Sequence, residues 1–254
     1  MMERQEVFEG ERIDETGFGD LKLIQKPELF CYGVDSVLLA DFAASGRNGE
    51  KITVADLGTG SGVIPLIISH KIAASLITGI EFQPQMAEMA VRTMKLNGLS
   101  DRISILRADV KDVREWGKNM KGRFDMVVAN PPYFPRGSAI VNPLDAKAAA
   151  RHETTADLED FMRCAAWMLR DRGDFYMVHR PSRLADICCF GRKTGLEPKE
   201  MMFVSPTAGD IPNILLVHLV AGGGRELKIL PPLAVYERDG SYTAALLAAY
   251  ERVR

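Results

Sequence analysis

The chain lacks paired cysteines, long apolar runs and a basic surplus, and each absence removes a class of function. Its 254 residues hold four cysteines, Cys31, Cys164, Cys188 and Cys189. None forms a Cys-x-x-Cys pair, and the adjacent Cys188 and Cys189 do not match a zinc spacing, so no metal site is predicted. They read as reduced, mostly buried thiols of a cytoplasmic protein. No apolar run approaches the roughly 18 residues of a membrane-crossing helix. The first ten residues have no signal-peptide apolar stretch. The 32 basic and 34 acidic side chains leave a net charge of −2. Free nucleic-acid binders usually carry a basic surplus, so any such contact here must come from a local patch. One candidate is Lys111, Arg114, Lys118, Lys121 and Arg123, opposed only by Asp112 and Glu115. Arg136, Lys147 and Arg151 supply a second.

What is present is an alternation of strand and helix patterns. A hairpin is expected around Thr16–Asp20, then a helix over 36–44 with Asp35 as its N-cap. Strands are predicted at 52–57, 76–82, 103–108, 124–129 and 174–179. Helices are predicted at 63–72 and 84–96, the second opened by Pro84 and stopped by Asn97-Gly98. Thr154-x-x-Asp157 reads as a capping box before a helix over 158–170. Pro181 opens another helix, to about Lys193. The last two strands, 200–204 and 214–220, are joined by a loop rather than a helix, which favours an antiparallel pair. A final short helix is expected over 242–253. The pattern predicts an α/β fold, a doubly wound mixed sheet with helices on both faces. Residues 1–45 form an N-terminal hairpin-and-helix extension, and 46–254 the main domain. Residues 134–153 have no periodicity; loops of that length are usually functional.

Asp56-Leu-Gly58-Thr-Gly60-Ser-Gly62 follows the first strand of this alternation and opens a helix. Glycines let the backbone turn sharply and approach a ligand, and a helix N-terminus favours negative charge. A triphosphate-binding loop would end in Gly-Lys-Ser/Thr, and no lysine is there. A dinucleotide fingerprint would have G-x-G-x-x-G, but Val63 stands where the last glycine should fall. An acidic residue plus G-x-G-x-G fits S-adenosylmethionine (SAM) without adjustment. Asp56 can face its ammonium, directly or through water, while the amides around Gly58, Gly60 and Gly62 face its carboxylate. Glu81 closes the next strand and suits two ribose hydroxyls. Asp109 closes the third and suits an adenine amino group, with Phe82 and Val110 on the two ring faces.

Asn130-Pro131-Pro132-Tyr133 ends the apolar run 124–129. Neither proline ring carries an N–H, so the backbone must leave the sheet at that point. An amide, a bare carbonyl and an aromatic ring are left at a strand mouth, where open α/β sheets bind ligands. That set suits a flat molecule gripped through an exocyclic NH2. Acceptance of two N–H hydrogens by the Asn130 oxygen and the Pro131 carbonyl would draw the nitrogen towards tetrahedral geometry. Its lone pair would then be free for attack, with catalysis by positioning and electrostatics. Tyr133 would stack on that flat molecule, and a nucleobase held this way must be unpaired or extruded.

With these two motifs the chain resembles the class I SAM-dependent N-methyltransferases that carry [Asn/Asp]-Pro-Pro-[Tyr/Phe]. That resemblance covers about residues 30–220 and implies a seven-stranded sheet of order 3-2-1-4-5-7-6 with the seventh strand antiparallel. Residues 20–25 and 30–42, together with Ala150-Arg-His-Glu153, are similar to the bacterial tRNA1(Val) adenine-N6 methyltransferase group. The resemblance implies an RNA partner and an acceptor adenine at tRNA position 37. It also implies that Tyr32 and Asp35 border the SAM pocket and that Arg151 and His152 lie near the acceptor base; Arg136 joins them as a substrate-side candidate. A glutamine-amide methyltransferase acting on protein is the nearest enzymatic alternative; such proteins usually carry a larger helical domain before the glycine loop. A non-catalytic nucleotide-binding module or a nicotinamide oxidoreductase is the alternative from another class, disfavoured by the glycine spacing and by Asn-Pro-Pro-Tyr.

Overall fold

The computed structural model describes residues 7–29, 31–47, 49–72, 75–133 and 156–251. Strands β1 (Arg12–Glu15) and β2 (Lys22–Gln25) form the expected antiparallel hairpin. The Thr16 hydroxyl closes it by donating to the Leu21 carbonyl at 2.9 Å. Asn97, expected only as a helix stop, also ties this hairpin down. Its side chain accepts from the Lys22 amide at 2.8 Å and donates to the Lys22 carbonyl at 2.7 Å. Helix α1 (Val34–Ala44) follows, with Val37 to Ala40 buried.

The main sheet is built from β3 (Thr53–Leu57), β4 (Leu76–Glu81), β5 (Ile103–Arg107) and β6 (Phe124–Ala129), then β7 (Leu169–His179), β8 (Leu196–Thr207) and β9 (Ile214–Ala221). Their order is β8-β9-β7-β6-β3-β4-β5. Numbered from β3, this is the 3-2-1-4-5-7-6 order implied above. β9 runs antiparallel to both β7 and β8. The loop between β8 and β9 is too short for a crossover, so their antiparallel pairing follows. Helices α2 (Val63–Lys71), α3 (Pro84–Leu96), α4 (Val113–Trp116), α5 (Leu158–Met168) and α6 (Leu184–Thr194) complete the doubly wound part. Side chains alternate between the two faces of the sheet. Val54, Met126, Val128 and Val178 join a core with α1 and α2, whereas Ala55, Val127, Ala129 and Met177 join one with α5 and α6. Burial on both faces explains why these strands read as unbroken apolar runs.

Two short strands, β10 (Lys228–Ile229) and β11 (Leu233–Tyr236), add to the outer edge of β8, beyond the seven expected. Pro231 and Pro232 separate them and hide the strand pattern; such residues are tolerated at a sheet edge. Helix α7 (Ala244–Ala249) is capped by Thr243 and is shorter than predicted at both ends.

Several local expectations need correction. The residue before α1 is Gly33, and Asp35 lies in the first turn, its carboxylate turned to the Ser36 amide and to Tyr133 rather than capping. The capping box is Asp157 with Asp160, one turn later than expected, and Thr154 lies outside the described residues. Strand β7 begins at Leu169 rather than 174, β8 spans Leu196–Thr207 rather than 200–204, and α5 stops at Met168. The charged segment Arg170–Arg172 disguises that start, and the pairing with β6 shifts register there. Among the described residues, no helix is long and apolar enough to cross a membrane.

Candidate active site

The C-terminal ends of β3, β4, β5 and β6 open side by side into one cleft. Gly58, Gly60 and Gly62 all have left-handed backbones, with φ of 73°, 58° and 89°. The loop is fastened to β4, because the amides of Gly58 and Thr59 both donate to the Ile80 carbonyl, at 2.8 and 3.0 Å. Gly62 precedes the first residue of α2, and a Cβ there would overlap the Met94 methyl.

Glu81 is only 5% exposed, yet it lines the cleft. Its two oxygens accept one amide each, from Gly60 at 2.9 Å and from Gln83 at 2.8 Å. Burial raises its pKa, and these amides oppose the rise. A carboxylate oxygen can accept more than one hydrogen bond, so both retain capacity for a ligand. Asp109 accepts from the Lys111 amide at 3.0 Å and pairs with the Lys111 ammonium at 3.3 Å. Its main-chain carbonyl accepts from the Trp116 indole at 2.7 Å. Val110 and the half-exposed Phe82 stand on the same wall.

Asp56 is fully buried, and neither of its oxygens has a hydrogen bond of ordinary geometry among the described residues. Burial pushes its pKa up to about 7; the Thr59 hydroxyl beside it opposes this and the Glu81 charge adds to it. Asp56 and Gly62 do not line the cleft, and neither does Tyr32, which packs against the core while its amide donates to Gln25 at 3.0 Å.

Across the cleft, all four residues of Asn130-Pro131-Pro132-Tyr133 line it, and so does Asp35 from α1. The Asn130 amide nitrogen lies 3.2 Å from the Ser36 hydroxyl and 3.4 Å from Asp35 Oδ2. The Tyr133 hydroxyl lies 2.7 Å from the same Asp35 oxygen and 3.0 Å from Asn130 Oδ1. Burial and the Asp35 charge raise the Tyr133 pKa, so its hydroxyl stays protonated. Behind it His179 is buried and meets the Tyr133 ring edge-on at 5.3 Å. Burial, with the Arg183 and Arg180 charges, brings the His179 pKa down to about 4. The exposed Arg180 sets its guanidinium 4.9 Å from the Tyr133 ring centre.

Arg136, Arg151 and His152 lie outside the described residues. The 111–123 basic patch is partly occupied: Lys111 pairs with Asp109, while Arg114 and Lys121 lie over the Trp167 ring at 5.7 and 4.7 Å. Sequence reasoning missed Ser36, Met86 and Phe161 as cleft residues. Phe161 and Met86 sit in helical apolar stripes that read as core, and Ser36 offered no signal beyond its place next to Asp35.

The family model described as methyltransferase small domain matches residues 20–185, a span that includes both motifs. The chain belongs to that family. A tRNA1(Val) (adenine(37)-N6)-methyltransferase of Porphyromonas gingivalis is 33% identical over 156 residues, which are 61% of this chain and 60% of that protein. The matched segment thus spans about 60% of that relative's length. A protein of the same name from Cronobacter sakazakii is 27% identical over 73% of each chain. A solved structure described as a predicted O-methyltransferase, from Agrobacterium tumefaciens, superposes with a TM-score of 0.70. It is 23% identical, with 86% of this chain and 97% of that one covered, and it shows the shared fold. Family and neighbours together give a Rossmann-like methyltransferase fold.

Proposed function

We propose that the chain is a SAM-dependent methyltransferase acting on the N6 amino group of an adenine in RNA, with tRNA beside the anticodon as the substrate its relatives suggest. The observation that carries this reading is one cleft with two unlike walls. On one side stand the glycine loop and a buried Glu81 with acceptor capacity; on the other stands the Asn130 amide, its oxygen directed away from α1.

The residues present fit SAM. Glu81 would hold the ribose hydroxyls, Asp109 the adenine amino group, and Phe82 and Val110 the ring. The amides of Gly58, Thr59, Gly60 and Gly62 are already bonded within the protein, so the methionine carboxylate would be met by the remaining loop amide, that of Ser61, and by the N-terminal turn of α2. Asp56, buried behind the loop and off the cleft lining, would meet the methionine ammonium through water rather than directly, and would regain its charge there. Bound there, SAM supplies a methyl group on a positively charged sulfur.

The acceptor side does the rest by geometry. Asn130 Oδ1 and the Pro131 carbonyl would accept the two N6 hydrogens and draw that nitrogen towards tetrahedral geometry. Its lone pair, otherwise delocalised into the ring, is then available. Tyr133 supplies an aromatic surface for an extruded base. Arg180, beside that ring, suits a flanking phosphate, which a chain of net charge −2 must meet locally. The reading implies a cytoplasmic enzyme, in keeping with its free cysteines.

Incubation with labelled SAM and total RNA, DNA and protein, followed by nucleoside and amino-acid analysis, tests the reading. N6-methyladenosine in tRNA is expected. Label confined to glutamine amides in protein would contradict it in favour of the amide-methylating alternative, whose NH2 group the same clasp would grip.

A further inference from the structure

We propose that Asp35 is a positioning residue for methyl transfer, setting the orientation of the acceptor clasp rather than holding the donor. The inference rests on the reading of an amine held by Asn130. Asp35 lies in the first turn of α1, 95 residues before Asn130 and 98 before Tyr133. Its carboxylate is already committed. Oδ1 accepts the Ser36 amide at 2.8 Å, and Oδ2 faces both the Tyr133 hydroxyl at 2.7 Å and the Asn130 amide nitrogen at 3.4 Å.

A carboxylate offers only lone pairs, so it dictates which end of a neighbouring amide faces it. With Asp35 Oδ2 and the Ser36 hydroxyl on one side, the Asn130 NH2 must turn towards α1 and its oxygen away. The reverse orientation would set a carbonyl oxygen against a carboxylate. The Tyr133 proton has two candidate acceptors, Asp35 at 2.7 Å and Asn130 Oδ1 at 3.0 Å. The charged acceptor is the nearer and the stronger. Asn130 Oδ1 therefore keeps its lone pairs largely free for an incoming N–H.

Gly33 makes room for this arrangement. A Cβ at that position would lie 3.0 Å from Asp35 Oδ1, closer than such contacts normally run. Gly33, Asp35 and Ser36 thus act as one short unit that presets a clasp encoded far along the chain.

The test separates rate from donor affinity. Asp35→Asn keeps the shape but adds a donor, so the amide of Asn130 is no longer held in one orientation. Single-turnover transfer to RNA adenine at saturating SAM should fall about 10- to 100-fold, the scale of an ångström-sized misplacement. The SAM Kd should stay within about twofold, which also reports that the variant is folded. Gly33→Ala retains the carboxylate but crowds it, and should lower the rate in the same direction with SAM affinity kept. Tyr133→Phe should cost less in the Asp35→Asn background than in the wild type, because the two act through one network. A SAM Kd weakened by about tenfold or more, with the saturated rate unchanged, would overturn the proposal and make Asp35 a donor ligand. An Asp35→Asn variant that matches the wild type in both rate and affinity would overturn it as well. If the wild-type chain itself transfers no methyl to RNA, the functional reading fails and takes the inference with it.

Discussion

On the glycine-loop side of the cleft, polar groups are tied to partners close along the chain. Asp109 is held by Lys111, and Glu81 by Gln83 two residues on and by Gly60 twenty-one residues back. On the Asn130 side, apart from the contact between Asn130 and Tyr133 themselves, partners come from 94 to 98 residues away, on α1. The donor wall is therefore fixed by adjacent strand ends and their own backbone, and it should stand when the acceptor side is damaged. The acceptor clasp depends on a helix packed from the far end of the chain. Substitutions on the two sides should separate accordingly.

The largest separation is expected from Asn130→Ala. Transfer should drop by about 10²–10³-fold, the usual cost of one preorganised polar contact to a reacting group. SAM affinity, measured by calorimetry, should be retained; loss of affinity in parallel with rate would merge the two sides into one.

Next comes a dependence on pH of opposite sign on the two sides. Asp56 has a folded pKa near 7 against an ordinary 3.8, so the folded state binds its proton more tightly than the unfolded state does. Its contribution therefore favours folding at low pH and is lost as pH rises from about 4 to 7, by at most about 4 kcal/mol. His179 acts in the opposite sense: its pKa of about 4 lies below the ordinary 6.5, so stability is gained as pH rises through that window. Comparing Asp56→Asn with wild type cancels the His179 part. The variant should melt higher than wild type at pH 8 without SAM, and the gain should vanish by pH 4.

Glu81→Ala should weaken SAM by about 1.5–3 kcal/mol, the range for hydrogen bonds to a charged group. At saturating SAM its rate should fall far less than that of Asn130→Ala. Unaltered SAM affinity would remove Glu81 from the donor site. The smallest effect is structural. Gly62→Ala forces a side chain into a left-handed backbone and against Met94, and should cost about 1–2 kcal/mol in chemical denaturation.

The same contrast decides what the sequence revealed. Asp56-Leu-Gly-Thr-Gly-Ser-Gly62 and the acids closing β4 and β5 are local signals, because strand, turn and ligand-facing group follow each other within a few residues. Asn130-Pro-Pro-Tyr133 was legible for the same reason: two prolines end a strand wherever they occur. The partnership of Asp35 and Ser36 with Asn130 was not legible. It arises only when α1 packs beside β6, and Asp35 read instead as a helix cap and, by resemblance, as a border of the SAM pocket. Phe161 was hidden differently, since an apolar residue in an amphipathic helix is the same signal whether it meets core or cleft. The seven long strands were readable from their apolar runs, but the starts of β7 and β8 were not. β10 and β11 were not, being short, exposed and broken by Pro231-Pro232.

A crystal structure with S-adenosylhomocysteine bound would weigh the central claim most directly, that donor and acceptor groups converge in this one cleft. The expected result is the adenosine between Phe82 and Val110, its ribose on Glu81 and its sulfur facing the open oxygen of Asn130. A ligand seated elsewhere, or a sulfur turned from that oxygen with the Asn130 tip closed off by the protein itself, would contradict the account.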